Sequence, residues 1–142
     1  MAFTGNYTCN SFKQQLFEGD FDFSATTAQT FKIALYTNDA TLDQTTTTYT
    51  TTGEVVATGY TEGGQLITPS LAIDSSTGIT YVDFSNASWS GAITARGALI
   101  YRVTTGNPTI CVLDFGSDKT STTTFQVEFP PNTSTTSLIR LS

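Results

Sequence analysis

The side chains of this sequence that could do chemistry are carboxylates, tyrosines and two cysteines, because it contains no histidine. That removes Ser-His-Asp and Cys-His nucleophilic catalysis together with the commonest metal ligand. Acid–base work would then fall to pairs of Asp and Glu, as in glycan hydrolysis. Glu18, Asp20 and Asp22 in FEGDFDF are spaced so that an extended chain sets all three on one face, where they could gather a cation. The segment lacks the turn and ligand ladder of a calcium loop, and it reads better as a solvated acidic face alternating with Phe21 and Phe23. No metal, no cofactor and no catalytic residue are assigned, and the chain is read as a non-enzyme.

The other candidate motifs have plain readings. TGEVVATGYTEGGQ is rich in glycine but has no lysine and no strand-to-helix context, so its glycines read as turns and not as a phosphate loop. Cys9 and Cys111 are two cysteines, which do not make a disulfide framework, and they read as an incidental thiol and a buried one. NYT, NAS and NTS match glycosylation acceptors by chance in a chain so rich in Thr and Ser. Trp89, the only tryptophan, is expected to be buried at a sheet end.

The elements that must position these residues are mostly strands. Thirty of 142 residues are threonine, joined by ten phenylalanines and six tyrosines, side chains that suit a pleated, half-buried surface. One segment reads as helical, over about 11–18: Ser11 and Gln14 have capping-box spacing, Phe12 and Leu16 share a face with Phe17 beside them, and Gly19 stands where a left-handed residue would end the turn. From residue 30 onward strand signals follow one another. Phe31, Ile33 and Leu35 define an inward face in FKIALYT, and Phe125, Val127 and Phe129 do so in TFQVEF. GITYVDF, AITARGALIYRV, TICVLDFG and SLIRL complete the set, the last with Ile139 and Leu141 inward over 136–141, and weaker strands are expected near 54–57 and 65–67. Arg96 and Arg102 mark where their strand emerges from between layers, and Gly97 in mid-strand suggests a bulge or close backbone approach. No βα alternation occurs, so the expected fold is all-β: an antiparallel β-sandwich, jelly-roll-like, forming one domain over 1–142 with 1–29 as an N-terminal arm and short helix.

In DQTTTTYTTTGE, seven of the eight residues 45–52 are threonine. β-Branched residues are stiff at χ1, so the run should be an extended ribbon and not a flexible linker. An uncharged ribbon with no lysine, proline or bulge to guard it is either a hydrated surface loop or a segment covered in an assembly. Six basic residues against twelve acidic ones give a net charge of −6, which disfavours nucleic acid. The first residues lack the charged and apolar regions of a signal peptide and no long apolar run occurs, so a cytoplasmic origin and no membrane insertion are expected.

Taken in order, CNSFKQQLFEG, FKIALYT, ATLDQTTTTYTTTGEVVATGYTEGGQ, a lone Trp before TARGALIYR, VLDFGSDKT and a final FP resemble small structural proteins of tailed bacteriophages, including cyanophages, across nearly the whole chain. The resemblance implies a virion component with a β-sandwich and an N-terminal arm, and it fits a capsid cement or decoration protein that bridges subunits of the major capsid protein at the capsid surface. Copies are then expected to associate, a trimer suiting quasi-threefold positions. The docking elements would be the arm, through Phe3, Tyr7 and Phe12, and the 43–53 loop, through Thr47, Tyr49 and Thr50, with Tyr60 nearby. The alternative is a tail or fibre component, one that binds a host glycan by stacking Tyr49 and Tyr60 on sugar faces.

Overall fold

The computed structural model describes residues 3–24 and 29–142; residues 1, 2 and 25–28 of the expected arm lie outside the described residues. In chain order the elements are β1 (Tyr7–Thr8), α1 (Asn10–Glu18), β2 (Thr30–Tyr36), β3 (Gln65–Ile67), β4 (Pro69–Ile73), β5 (Thr80–Phe84), β6 (Ala87–Ser90), β7 (Thr94–Val103), β8 (Thr109–Thr120), β9 (Thr124–Val127) and β10 (Ile139–Leu141). All pair antiparallel, giving a five-stranded sheet β1-β8-β7-β2-β3, a three-stranded sheet β10-β5-β4 and a two-stranded sheet β6-β9. The fold is all-β and sandwich-like with one short helix.

Residues directly across a ladder share a face. The register of β2 with β7 therefore groups Phe31, Ile33 and Leu35 with Ile100 and Ala98, and Ala34 and Tyr36 with Leu99 and Gly97. The expected inward face of β2 is present, but Ala34 and Tyr36 are buried too, so this strand is covered on both sides. On the Phe31 side a chain of rings joins helix and sheets: Phe12 meets Phe21 at 4.8 Å, Phe23 meets Phe31 at 5.1 Å, and Phe31 meets Phe84 of β5 at 5.9 Å. Each such contact adds about 0.5–1.5 kcal/mol to what the buried area gives. The alternation of Phe21 and Phe23 with acids in FEGDFDF is thus a core-facing pattern with Asp20 left exposed. Trp89 is buried at the β6–β9 pair, across from Phe125, as expected of it.

Several local expectations change. The helix begins at Asn10, and its N-cap is Cys9, with no side-chain cap bond. Ser11 Oγ is buried without a partner in place of capping. The cap is replaced from outside, since the Asn10 N–H donates to the Gln44 carbonyl of the threonine loop at 2.8 Å. At the other end Gly19 does take the left-handed conformation (φ 85°), with its N–H bonded to Leu16 O and that of Asp20 to Gln15 O, the Schellman pairing. The last strand is only three residues long, and Leu141 is half exposed where it was expected inward. Phe129 lies beyond β9 and packs on Phe84 at 6.1 Å. The stretch 54–57 contributes a single bridge, Glu54 to Tyr36, and no strand. Cys9 is fully buried and not incidental, and the register sets Thr8, not Cys9, across from Cys111; both thiols are free.

Gly97 makes the close approach its position suggested. The ladder is irregular between Ala95 and Gly97, and there Arg96 reaches Asp114 with a 3.0 Å ion pair. A Cβ on Gly97 would stand 2.4 Å from the Phe3 ring and 2.5 Å from the Leu113 carbonyl oxygen. The missing side chain is the seat of Phe3, which is how an arm with only two paired residues stays attached. Gly97→Ala is expected to cost about 1–3 kcal/mol of stability through this overlap and to release the arm. Thermal unfolding and the rate of protease cutting ahead of Cys9 read both effects; unchanged values would mean that Phe3 is not held there.

Candidate functional site

Between β2 and β3 the chain makes two excursions, and both close on one carboxylate. The first, residues 37–53, carries the threonine run across the Tyr36 side of the main sheet. It is fastened by its backbone: Thr109 N–H donates to Thr47 O at 3.2 Å, the Thr109 hydroxyl to Thr46 O at 2.6 Å, Tyr49 N–H to Asn107 O at 3.0 Å, and the Tyr36 hydroxyl to Thr50 O at 2.6 Å. Carbonyls point inward and take these bonds, so the hydroxyl-bearing side chains of Thr45, Thr47, Thr48, Thr51 and Thr52 are left exposed.

The chain then returns beside β2, where Val55 N–H donates to Leu35 O at 3.0 Å, and leaves again before β3 resumes the pairing at Ile33. This second excursion leaves the Leu35 N–H without a backbone partner, and a buried orphan donor is costly. The Tyr60 hydroxyl fills the place, accepting from Leu35 N at 2.9 Å while donating to Glu54 Oε1 at 2.6 Å. Gly63 N–H donates to the same oxygen at 2.8 Å, and the Tyr49 hydroxyl to Glu54 Oε2 at 2.5 Å. Tyr49 stacks on Tyr101 with centroids 4.7 Å apart, and the Tyr101 hydroxyl donates to Gly63 O at 2.7 Å, closing the ring of contacts. Gly64 must be glycine because its φ is +82° and a Cβ there would overlap the Ile33 carbonyl.

Glu54 is 7% exposed. A carboxylate so buried is tolerated where its lone pairs are taken up by donors, and here three converge on it. The four phenols around it are all pushed above their ordinary value of about 10: Tyr36, Tyr49 and Tyr60 strongly and Tyr101 to about 12, first by burial and then by the nearby Glu54 charge or its hydrogen bond. Groups held this way exchange no proton near neutrality. The cluster is a clasp that ties both excursions to the sheet.

The expected interface residues separate into two sets. Phe3 and Phe12 are each 1% exposed in the core of this chain, so the arm's largest aromatics offer nothing to a partner. Their spacing reads the same whether a surface or the core receives them. Tyr7 is half-buried, pairs with Val112 and shares a hydrogen bond with Thr4. Thr47 is exposed and Thr50 half-buried on the expected ribbon. Tyr49 and Tyr60 are half-buried, their hydroxyls turned to Glu54 and their rings against Tyr101 and Trp89. No periodicity in the sequence groups Glu54 with Tyr36 and Tyr101; the one signal there is that Glu54 is the single charged residue within 44–61.

With that charge turned inward, the outer surface of 44–61 has no formal charge, and it includes Val56 at 97% exposure. A shallow groove of about 590 Å³ lies beside it, lined by Thr51, Val56, Thr58 and Tyr60 and also by Glu54 and the exposed Glu62, which puts a carboxylate at the end of the uncharged stretch. Among the described residues no group of three or more His, Cys, Asp and Glu side chains comes together to hold a metal ion, and no helix is long and apolar enough to cross a membrane.

Glu54→Gln keeps the shape but replaces one acceptor oxygen by a donor and removes the charge, so the Tyr49 hydroxyl must turn to accept and the remaining bonds lose their charge assistance, at a cost of about 1–3 kcal/mol in urea unfolding. Tyr60→Phe should cost a similar amount by stranding the Leu35 N–H. The raised phenols set a pH dependence: their contribution is complete below about pH 10, the unfolded value, and is lost as pH climbs through 10 and past 12, because the unfolded chain releases protons that the folded chain retains. Urea midpoints from pH 7 to 11 should be flat and then fall. No known family model, no curated protein and no solved structure matches this chain.

Proposed function

We propose that the chain is a non-enzymatic structural protein of a tailed-phage virion, a cement or decoration protein that binds the major capsid protein at the capsid surface through the threonine-rich 44–61 surface. One observation carries this reading: the only formal charge of that segment is buried at Glu54, and the backbone beneath the exposed threonines is fastened to Thr109, Asn107 and Tyr36. Such a surface is already ordered, so docking removes little conformational freedom, and between the exposed Asp43 and Glu62 at its two ends it brings no charge to be desolvated. Its hydroxyls can exchange water for a neighbour's backbone groups. Repetition over a shell then supplies strength that no single small contact needs to have.

Placement in a tail or fibre, with a host glycan as ligand, is the other reading drawn from the sequence. Its stacking platforms would be Tyr49 and Tyr60, whose rings already lie against Tyr101 and Trp89, so the capsid reading is favoured.

The experiment mixes purified protein with undecorated capsids and, separately, with tails of the same phage, and measures bound copies by co-sedimentation. Saturable binding to capsids in hundreds of copies is expected. Thr47→Lys combined with Thr51→Glu, both at exposed positions, should weaken it at least about ten-fold, a loss of about 1.4 kcal/mol, with the unfolding midpoint unchanged. Binding to tails alone would move the protein there, and unaltered capsid binding by the double variant would remove the loop from the contact.

A further inference from the structure

A second buried carboxylate lacks what Glu54 has. Asp83 of β5 is 3% exposed; its Oδ1 accepts from the Phe84 N–H at 3.0 Å, but its Oδ2 is buried with no hydrogen-bond partner. No basic side chain compensates, because among the described residues the one ion pair is Arg96 with Asp114, on the five-stranded sheet. An anion taken out of water without a counter-charge is costly, and the neutral acid avoids most of that cost.

What buries Asp83 is the connection from β9 to β10, residues 128–138. Val82 and Phe84 turn to the core, so the alternation of the strand puts Asp83 on the opposite face with Tyr81, and the register adds Ser70 from β4 and Arg140 from β10 to that face. The connection crosses this face as a strap. The Phe129 N–H donates to Asn86 Oδ1 at 2.8 Å, Asn132 Nδ2 to Ser70 O at 3.3 Å, the Ser134 hydroxyl to Asp74 Oδ2 at 2.7 Å, and Arg140 Nη1 to Thr135 O at 2.8 Å. Phe129, Pro130 and Asn132 of the strap wall a shallow pocket of about 420 Å³ together with Asp83. The buried Ser137 closes the strap on itself by donating to Asn132 Oδ1 at 2.8 Å.

The titratable and charged groups around Asp83 are few. Tyr81 stands two residues away on its own strand, β10 brings Arg140, β4 brings Asp74 just past its end, and the strap brings the exposed Glu128. Burial moves the Asp83 carboxyl above its ordinary value, against the weaker downward pull of the Phe84 and Leu138 N–H groups, and none of those charges contributes. Asp74 behaves oppositely. The Ser76 and Ser134 hydroxyls hold it well below the ordinary carboxylate range, so it grips the strap as an anion.

We propose that the strap over Asp83 is a proton-sensitive latch, which closes most firmly when Asp83 holds a proton and loosens when that proton leaves, uncovering the outer face of the three-stranded sheet. The sign follows from linkage. A carboxyl that keeps its proton more tightly in the closed state contributes fully below its open-state value, about 4, and loses that contribution as pH rises through its higher closed-state value. Asp74 contributes above about pH 4 and fails as pH falls below it. Closure is therefore firmest near pH 4 and weaker at neutrality. Each unit by which closure raises the Asp83 value changes the opening equilibrium about ten-fold. The latch is independent of the capsid reading, since it belongs to the isolated chain.

Two measurements on the full chain test it. The Asp83 carboxyl carbon, followed by NMR from pH 3 to 8, should titrate above about 4, and the amide shifts of residues 132–138 should move with the same midpoint. Hydrogen exchange at those amides, corrected for the intrinsic rate, should show opening at least about three-fold rarer at pH 4.5 than at pH 7. Asp83→Asn, which keeps the shape of the neutral acid, should bring opening at pH 7 down to the acid-state level, leave it flat across that window, and raise the unfolding midpoint at pH 7. An Asp83 that titrates at or below about 4, strap amides indifferent to pH, or an Asp83→Asn variant with a looser strap at pH 7 would each overturn the inference. The last result would mean that the charge itself is used, by a donor or a cation at Oδ2.

Discussion

The arrangement of this molecule hangs on one buried carboxylate. Glu54 receives the Tyr49 hydroxyl from the first excursion, the Tyr60 hydroxyl and the Gly63 N–H from the second, and its own backbone bridges to Tyr36 of β2. An edge strand interrupted twice by loops would ordinarily leave donors exposed or orphaned. Here the phenol of Tyr60 substitutes for a missing strand residue at the Leu35 N–H, and Glu54 in turn fixes the phenol. The long connection from β2 to β3 is therefore a folded part of the sheet's cover and not an appendage.

The same interaction decides the character of the surface. A carboxylate left outside among the threonines would have given that ridge a charge, and burying one is tolerable only because each of its oxygens meets donors of good geometry. The cost of desolvation is offset inside the clasp, and the outside of the segment is left with hydroxyls and the exposed Val56. The threonine carbonyls bind inward to Thr109 and Tyr36, so the side chains face solvent as a consequence of the backbone's bonds and not of any preference of their own. Stiff β-branched residues hold such a ridge in shape at little further entropic cost.

What could be read in the sequence was what repeats or what is local. The parity of Phe31, Ile33 and Leu35 follows from the two-residue period of a strand, Gly19 from the chemistry of a helix end, and the seat at Gly97 from a glycine where a strand should have a side chain. What could not be read was convergence without a period. Tyr49, Tyr60 and Gly63 stand five, six and nine positions from Glu54, and Tyr60 stands twenty-five from Leu35, spacings no helix or strand rule selects. Phe3 and Phe12 were misplaced for a related reason. Aromatic side chains on a short arm look alike whether they meet a partner or their own core, and only the notch at Gly97 and the rings of Phe21 and Phe23 distinguish the two. The Ser11 cap failed because a tertiary donor–acceptor pair, Asn10 to Gln44, took its place.

The two unoccupied surfaces lie on opposite sides of the main sheet, and they differ in kind. The threonine ridge covers the side that carries Tyr36 and Tyr101, while the three-stranded sheet packs on the side of Phe31. A polar, uncharged, pre-ordered ridge gives up little entropy on docking but gains little from the hydrophobic effect, so alone it makes a weak contact. The apolar face that carries Ile73 and Leu141 gains from burial but has low directional specificity. A molecule that used both would be bivalent. Once one surface was engaged, the second would bind at the high effective concentration set by a rigid body about one sheet thick, and two weak contacts would act as one strong one. That is a physical route by which a small acidic domain with few ion pairs can hold neighbours together without any single large interface.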